Sequence, residues 1–179
     1  MTHSPADDVA ALTTARDRIE LGPLRQGEEP GLFAAFAEIV ARLDGFPHAP
    51  PLTRSDFEAT WVGPVTAVVV ARDARDRGGL IGAYYLKPNF FGRGAHVANA
   101  GYFVVPARRG QGVGRLLVED SLWRAPLLGF DAMQFNLVFA SNPARRLYEE
   151  LGFRVTGHVP DAVDGEDAVV YWRRVGHEV

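Results

Sequence analysis

The chain has 179 residues, enough for one domain with a buried core, and its 47% apolar and 23% charged residues are typical of a globular protein. A net charge of −3 argues against non-specific binding to nucleic acid or to an anionic membrane. The absence of cysteine excludes disulfides, thiolate metal ligands and cysteine nucleophiles.

Residues 1–15 mix Pro, Asp, Ser and Thr with scattered apolar residues, and we expect a tail or a loosely docked extension there. Residues 16–179 are expected to form a single domain. No basic segment precedes an apolar stretch at the N-terminus, and no apolar run reaches about 18 residues. These observations predict a cytoplasmic protein that does not insert into a membrane.

The first third of the chain predicts one strand and two helices. Residues 18–21 are strand-like, and residues 31–43 place apolar side chains at helical spacing. Three prolines in residues 45–51 exclude a continuing helix, and Thr53 or Ser55 is then expected to cap a short helix. The predicted apolar stripe of the longer helix consists of Leu32, Phe36, Ile39, Val40 and Leu43.

The middle of the chain predicts three strands. Residues 66–71 and 80–86 flank a charged, turn-like segment and form a predicted β-hairpin. After a turn-rich loop at residues 87–94, a third strand covers residues 96–105 and is stopped by Pro106.

The last part of the chain predicts two helices and three strands. A helix follows a glycine-rich segment, and Pro126 is expected to kink it or to lie in its last turn. Residues 132–139 are strand-like. The apolar residues of the helix at helical intervals are Leu116, Leu117, Trp123 and Leu127.

A second helix in this part is expected to have Asn142 as N-cap and Pro143 as first residue, to run through Leu151 and to be ended by Gly152. Two strands close the chain. The resulting order, β-α-α-β-β-β-α-β-α-β-β, predicts an α/β (α+β) fold with a mixed, mostly antiparallel sheet of about seven strands flanked by about four helices.

The segment VVPARRGQGVGRLL, residues 104–117, stands between the third of the central strands and the following helix. Amides at a helix N-terminus point outward and are supported by the positive end of the helix dipole, so such a loop can bind an anion. Arg108, Arg109 and Arg115 add charge suited to phosphates. The alternative is a tight strand-to-helix turn that needs glycine only for its backbone angles.

Two nucleotide-binding motifs do not fit this segment. A Walker loop requires G-x-x-x-x-G-K-[ST], which is absent from the chain. A dinucleotide fingerprint requires G-x-G-x-x-G after an early strand, whereas Gly110, Gly112 and Gly114 are spaced G-x-G-x-G and Arg115 stands at the third glycine position.

The string V-x-P-x-x-R-G-x-G-x-G, which begins at Val104, resembles the signature of the GCN5-related N-acetyltransferase superfamily. Its R/Q-x-x-G-x-G/A motif is matched by Arg109, Gly112 and Gly114. The resemblance covers about residues 18–174 and implies acetyl-CoA as co-substrate, with no metal. It implies coenzyme binding by Tyr102, Phe103, Val104, Val105, Arg109, Gly110, Gln111, Gly112, Val113, Gly114, Arg115, Asn142 and Tyr148.

A second segment, ARRLYEELGF at residues 144–153, matches the superfamily motif A-x-x-L-Y-x-x-x-G-F. Acyl transfer to an amine expels a thiolate, which a neighbouring tyrosine hydroxyl can protonate. The resemblance implies this role for Tyr148, and a purely packing tyrosine is the alternative. The family usually has asparagine at the position of Ser141, so either Ser141 or the next residue, Asn142, fills that role.

The sequence does not identify the general base that would take the proton from the amine. Members of the superfamily often use a carboxylate on the strand before the glycine loop, and residues 96–105 contain none. His96 is more typical of a structural residue, and an amide such as Asn99 is too weakly basic to remove a proton. Unless an acid comes from elsewhere, the base is water or the amine arrives neutral.

Three segments, YLKPNFFGR, NAGYFVVP and MQFNLVFASN, are similar to the acetyltransferases that detoxify proline analogues such as azetidine-2-carboxylate. Asparagines in that branch hold substrate or support catalysis, which implies these roles for Asn99, Asn136 and Asn142. Asn136 interrupts an apolar strand, and a buried amide there needs a partner from the substrate or from the protein. The branch often has Trp where this chain has Tyr148.

Two loops, residues 45–51 and 89–94, are expected to flank the substrate pocket, although their side chains could equally be exposed or pack on each other. Arg93 could meet a substrate carboxylate. The predicted substrate contacts are Asn99, Asn136, Phe46, His48, Phe90, Phe91 and Arg93.

The sequence therefore predicts an acetyl-CoA-dependent N-acetyltransferase that detoxifies a small amine, preferably a proline-like or other small amino acid, by direct transfer in a ternary complex. Tyr148, Asn99 and Asn136 are the expected catalytic residues. An antibiotic, a polyamine or a protein amine is an alternative acceptor, and a non-catalytic acyl-CoA-binding module is the alternative class. A homodimer is a family-level expectation.

Overall fold

The computed structural model describes residues 18–76 and 79–175, and the predicted extension at residues 1–15 lies outside them. Within these ranges, seven strands form one mixed sheet in the order β1-β2-β3-β4-β5-β7-β6. The strands are β1 (Ile19–Pro23), β2 (Ala67–Asp73), β3 (Gly79–Pro88), β4 (Val97–Val104), β5 (Ala132–Phe139), β6 (Arg154–Val163) and β7 (Glu166–Arg174).

Four α-helices accompany the sheet in the described ranges, and their positions along the chain confirm the predicted order and fold class. A π-helical turn over Glu58–Val62 extends the second helix, and 3₁₀ turns cover Gly92–Gly94 and Pro106–Arg108. The helices are α1 (Glu29–Ala41), α2 (Arg54–Phe57), α3 (Val113–Leu127) and α4 (Arg145–Glu150).

The predicted apolar stripe of α1 is confirmed except at its last member. Leu43 lies beyond the end of the helix, has a φ of 55° and leaves 60% of its surface exposed. A chain that turns into the left-handed region at this residue carries the side chain off the buried face of the helix. At the second helix, Thr53 is the cap, since its hydroxyl accepts the Asp56 amide at 3.1 Å.

The helix α3 begins and ends as its sequence predicts, with Gly112 at its N-cap and Pro126 in its last turn. Two of its spaced apolar residues, Trp123 and Leu127, are exposed. Leu117, a predicted member, is buried as expected. The buried residues of the helix are Val113, Leu117, Val118, Ser121 and Ala125.

The helix α4 starts later than predicted. Asn142 and Pro143 lie in the turn before it, and Ala144 is the N-cap. Asn142 Oδ1 accepts the Ala144 amide at 2.9 Å, so the asparagine stabilises the approach to the helix rather than its first turn. Gly152, with a φ of 82°, ends the helix as expected.

The pairing between β4 and β5 is the exception in the sheet. All other neighbouring strands are antiparallel, whereas β4 and β5 are parallel. They pair only at Val97 with Ala132 and at Ala98 with Met133. Beyond these positions the two strands diverge, and a gap opens in the middle of the sheet.

Each face of the sheet carries a hydrophobic core. The helices α1 and α2 cover one face, where Phe36 and Trp61 pack against Tyr85 and Phe103. On the other face α3 and α4 enclose a second cluster that includes Tyr84 and Tyr148. The gap between β4 and β5 is therefore bordered by packed layers on both sides.

Gly82 on β3 is a position where the backbone of β4 leaves no room for a side chain. A Cβ atom there would lie 2.8 Å from the Phe103 carbonyl oxygen and 3.2 Å from Leu117. We expect Gly82→Ala to lower the free energy of unfolding by about 1–3 kcal/mol, because the strand must shift to admit the methyl group.

Urea unfolding measures this effect, and Gly31→Ala in α1 is the matched control. No atom lies within 4 Å of the Cβ added at Gly31, so this substitution should be neutral or stabilising by up to about 1 kcal/mol. Equal effects of the two substitutions would contradict the close approach of β3 and β4.

Candidate functional site

The gap between β4 and β5 leaves backbone groups of β4 without a strand partner. The Val105 amide donates to Ile81 O, and Val97 O accepts the Asn89 amide, so odd-numbered residues of β4 face β3. The even-numbered residues Ala100, Tyr102 and Val104 therefore direct their amides and carbonyls into the gap.

A cavity of about 550 Å³ occupies this gap. Its wall runs from the glycine loop, along β4, to the middle of β5 and the turn before α4. It thus brings together most of the predicted coenzyme-binding residues and three of the seven predicted substrate contacts. The predicted residues that line it are Phe46, Asn99, Tyr102, Phe103, Val104, Arg109, Gly110, Gly114, Asn136, Asn142 and Tyr148.

The glycine loop has the geometry of an anion site at one end of the cavity. Gly110 and Gly112 have φ values of 72° and 81°, which only glycine adopts at little cost. The intrahelical hydrogen bonds begin with the Leu116 amide, which donates to Gly112 O at 3.2 Å. The preceding amides of α3 have no capping side chain and point beyond the helix, where the helix dipole favours negative charge.

The arginines of this loop are paired with carboxylates. Arg109 Nη1 lies 2.5 Å from Asp44 Oδ2, and its Nε donates to Val104 O at 3.3 Å. Arg108 binds Asp73 at 2.8 Å, and Arg115 pairs with Glu150. The Asp44 ion pair ties the loop after α1 to the glycine loop across one end of the cavity.

Tyr148 of α4 lies at the cavity wall. It is 7% exposed, and its ring packs on Phe135 at 4.8 Å and on Tyr171 at 5.9 Å. Burial raises the pKa of Tyr148 well above its usual value, so the hydroxyl keeps its proton at neutral pH. In the described part of the chain the hydroxyl has no hydrogen-bond partner, and the residue lines the cavity.

Asn99 and Asn136 face each other across the gap and are joined by Asn89. Asn136 Nδ2 donates to Asn89 Oδ1 at 2.6 Å, and Asn99 Nδ2 donates to the same oxygen at 3.3 Å. Asn136 is exposed, so the expectation of a buried amide is wrong. The physical reason is an irregularity of β5, which loses its register with β7 between Phe135 and Val138. Its partners are protein side chains.

Of the two residues considered for the usual asparagine position, Asn142 is the one at the cavity wall. Its amide nitrogen approaches the loop after α1, where a Cβ atom on Gly45 would lie 3.6 Å away. The Ser141 amide instead donates to Glu166 Oε1 at 2.8 Å, at the start of β7.

Several predicted residues are not brought to the cavity wall. His48 packs edge-on against Phe36 at 5.3 Å and its Nε2 donates to Thr60 Oγ1 at 2.8 Å, within the helical layer. Phe91 is 97% exposed, because its loop turns outward. The others outside the wall are Phe90, Arg93, Val105, Gln111, Gly112, Val113 and Arg115, of which Val113 is buried in the core.

Tyr85 is a cavity residue that the sequence analysis did not single out. Its ring covers β4 so closely that a Cβ atom on Gly101 would lie 2.7 Å from it. Burial raises the pKa of Tyr85 to about 12, and Lys87 Nζ lies 4.9 Å from the ring centroid. In the sequence, Gly101 of NAGYFVV precedes two aromatic residues, and this pattern could have indicated that a ring lies against the backbone of the strand.

The described part of the cavity wall contains one carboxylate, Asp44, and it is paired with Arg109. His96 lies outside the wall, where its Nδ1 donates to Arg93 O at 2.9 Å. β4 itself carries no carboxylate, so the described wall contains no unpaired carboxylate.

Residues 33–153 match the model of the acetyltransferase (GNAT) family. N-acetyltransferase aca1 of Schizosaccharomyces pombe is 46% identical over 84 residues, which are 46% of this chain and 40% of that protein. The chain spans 55% or less of the length of curated relatives such as this one.

Solved structures share the fold. A GCN5-related N-acetyltransferase from Kribbella flavida has a TM-score of 0.80 at 34% identity, over 89% of this chain and 99% of that one. A phosphinothricin acetyltransferase from Sinorhizobium meliloti, solved with acetyl-CoA, has a TM-score of 0.76 at 20% identity over 89% of each chain. Because the family model covers more than half of the sequence, this chain belongs to the acetyltransferase (GNAT) family.

In residues 18–76 and 79–175, no helix is both long and apolar enough to cross a membrane. The same residues contain no cluster of three metal-binding side chains.

The backbone angles of the glycine loop predict unequal effects of two alanine substitutions. Gly112→Ala should lower the free energy of unfolding by about 1–2 kcal/mol, because alanine is strained at a φ of 81°. Gly114→Ala places its Cβ 3.8 Å from Val104 in a helical turn and should be tolerated. Urea unfolding without ligand compares them, and a larger loss for Gly114→Ala would contradict the loop geometry.

Proposed function

We propose that this protein is an acetyl-CoA-dependent N-acetyltransferase that acts on a small amine, preferably a proline-like or other small amino acid. The observation that carries the proposal is one cavity with two different ends. A helix N-terminus with glycine-rich backbone lies at one end, and two asparagine amides lie at the other.

Acetyl-CoA supplies an acetyl group activated as a thioester, and the residues of the first end fit such a ligand. The amides at the start of α3, with Gly110 and Gly114 open to the cavity, would hold the pyrophosphate. Arg109 would add positive charge if it leaves Asp44 or shares it. The unpaired backbone groups of β4 would accept the extended pantetheine arm as a strand accepts a neighbour.

The same backbone groups support the chemistry of transfer. Attack of a neutral amine on the thioester carbonyl places negative charge on its oxygen. The amide of Tyr102, directed into the gap, would donate a hydrogen bond to that oxygen. Fixed backbone donors of this kind need no rearrangement during the reaction.

Tyr148 would protonate the departing thiolate. The raised pKa keeps a proton on its hydroxyl, and the residue lines the cavity on the side of α4. Asn99 and Asn136 would hold the acceptor amine. With no unpaired carboxylate in the described wall, the amine enters neutral or loses its proton to water.

The preference for a proline-like amino acid rests on the resemblance of NAGYFVV and QFNLVFASN to the branch that acetylates proline analogues. The joint placement of Asn99, Asn136 and Asn142 on one cavity supports it. A cytoplasmic location, a detoxifying role and a homodimer belong to the same proposal and stay predictions.

Thiol release from acetyl-CoA tests the function with a panel of azetidine-2-carboxylate, proline, phosphinothricin, a polyamine and a lysine peptide. We expect kcat/KM for a cyclic amino acid to exceed that of the other amines at least tenfold. Preference for the polyamine or the peptide would overturn the substrate class. If coenzyme A binds tightly but no amine causes thiol release, the enzymatic function would be wrong and the protein would be an acyl-CoA-binding module.

Tyr148→Phe removes one hydroxyl from the cavity and should lower kcat by about 10²-fold or more, because the thiolate then leaves without a proton. The affinity for coenzyme A should change less than twofold. Because the pKa of Tyr148 is raised, the wild-type rate should not fall between pH 7 and 10 through ionisation of this residue. An undiminished kcat in the variant would remove the general-acid role.

A further inference from the structure

Within the part of the chain that the structure describes, the hydrogen bonds around Asn89 leave specific polar atoms of Asn99 and Asn136 without partners. Asn89 follows β3, and its backbone amide donates to Val97 O at 2.7 Å, which fixes it beside the start of β4. Its side chain reaches both asparagines of the cavity but is not itself part of the cavity wall.

Asn99 is oriented by a backbone atom. Its Nδ2 donates one hydrogen to the Gln134 carbonyl oxygen at 3.1 Å and the other to Asn89 Oδ1 at 3.3 Å. A backbone carbonyl can only accept, so it requires the nitrogen of the Asn99 amide to face it. Both hydrogens are then used, and Asn99 Oδ1 has no partner among the described residues.

Asn136 is oriented in turn by Asn89. Because Asn89 Oδ1 accepts from Asn99, Asn89 Nδ2 faces Asn136 and donates to Asn136 Oδ1 at 3.1 Å. Gln134 Nε2 donates to the same oxygen at 2.9 Å. Both lone pairs of Asn136 Oδ1 are then occupied. Asn136 Nδ2 donates one hydrogen to Asn89 at 2.6 Å, and its other hydrogen has no acceptor among residues 18–76 and 79–175.

We propose that Asn89 is a positioning residue: it holds Asn99 in the orientation that the Gln134 carbonyl sets, with Oδ1 as a hydrogen-bond acceptor for the acetyl acceptor, and it turns Asn136 so that this residue offers a hydrogen-bond donor. The inference rests on the proposed function and refines its substrate class. An amine N–H is complementary to Asn99 Oδ1, and a carboxylate or carbonyl oxygen is complementary to the remaining Asn136 N–H.

The spacing of the two asparagines favours groups on neighbouring atoms of the substrate. Asn99 Nδ2 and Asn136 Nδ2 bind the same oxygen of Asn89, so the two amides are adjacent. An α-amino acid carries its amine and carboxylate on one carbon, which matches this arrangement. A polyamine has no carboxylate or carbonyl oxygen to accept from Asn136.

Steady-state kinetics of Asn89→Ala test the role, with azetidine-2-carboxylate as acceptor. We expect kcat/KM for the acceptor to fall at least tenfold, while KM for acetyl-CoA changes less than twofold. In the Asn99→Ala, Asn136→Ala background, Asn89→Ala should change kcat/KM less than twofold, because the residue acts through those amides. Gln26→Ala, which removes an exposed amide elsewhere, is the control for substitution itself.

A second measurement needs no turnover and so separates this inference from the proposed function. Both Asn99 side-chain hydrogens are bonded in the free protein and should exchange slowly with solvent in ¹⁵N-labelled material, with the signal assigned by its loss in Asn99→Ala. Asn89→Ala should speed this exchange at least tenfold. Unchanged exchange, or an additive effect of Asn89→Ala in the double-variant background, would overturn the positioning role. If no amine is acetylated, the proposed function fails and the exchange result still decides how Asn99 is oriented.

Discussion

The divergence of β4 from β5 is the constraint on which the site depends. Two paired positions at one end hold the strands in a single sheet, and the remaining residues separate. The separation leaves backbone donors and acceptors of the central strand open in the interior of the domain, where polar groups need partners. A ligand with an extended polar arm can satisfy them, and a packed hydrophobic layer lies on each face of the sheet.

The two ends of the resulting cavity offer different kinds of polar interaction. The glycine loop offers backbone amides and a helix dipole, which act on any phosphate regardless of what the phosphate carries. The amide cluster of Asn89, Asn99, Asn136 and Gln134 offers few polar atoms in fixed directions. In the proposed function the first end would hold the coenzyme that the family shares, and the second would distinguish one acceptor from another.

The order of elements and the glycine loop could be predicted because their signals are local: periodicity, prolines and the spacing of glycines. Tertiary contacts set the rest. Leu43 leaves its helix through one backbone angle, and His48 is drawn to Thr60, a residue that only the fold brings near it. The partner of Asn136 is Asn89, 47 residues away, and no local pattern in the sequence indicates that pairing.

The end of the cavity proposed to hold the acceptor presents the carboxamides of Asn99 and Asn136, which neither gain nor lose a proton in the physiological range. Its pattern of donors and acceptors is therefore the same in acid and in alkali, and dissolved salt, which screens charges, has little to act on there. Whatever pH dependence the reaction shows on this side then reports the basicity of the incoming amine. A cyclic amino acid, whose amine is largely protonated near neutrality, would then react faster as the pH rises and more of the amine is neutral.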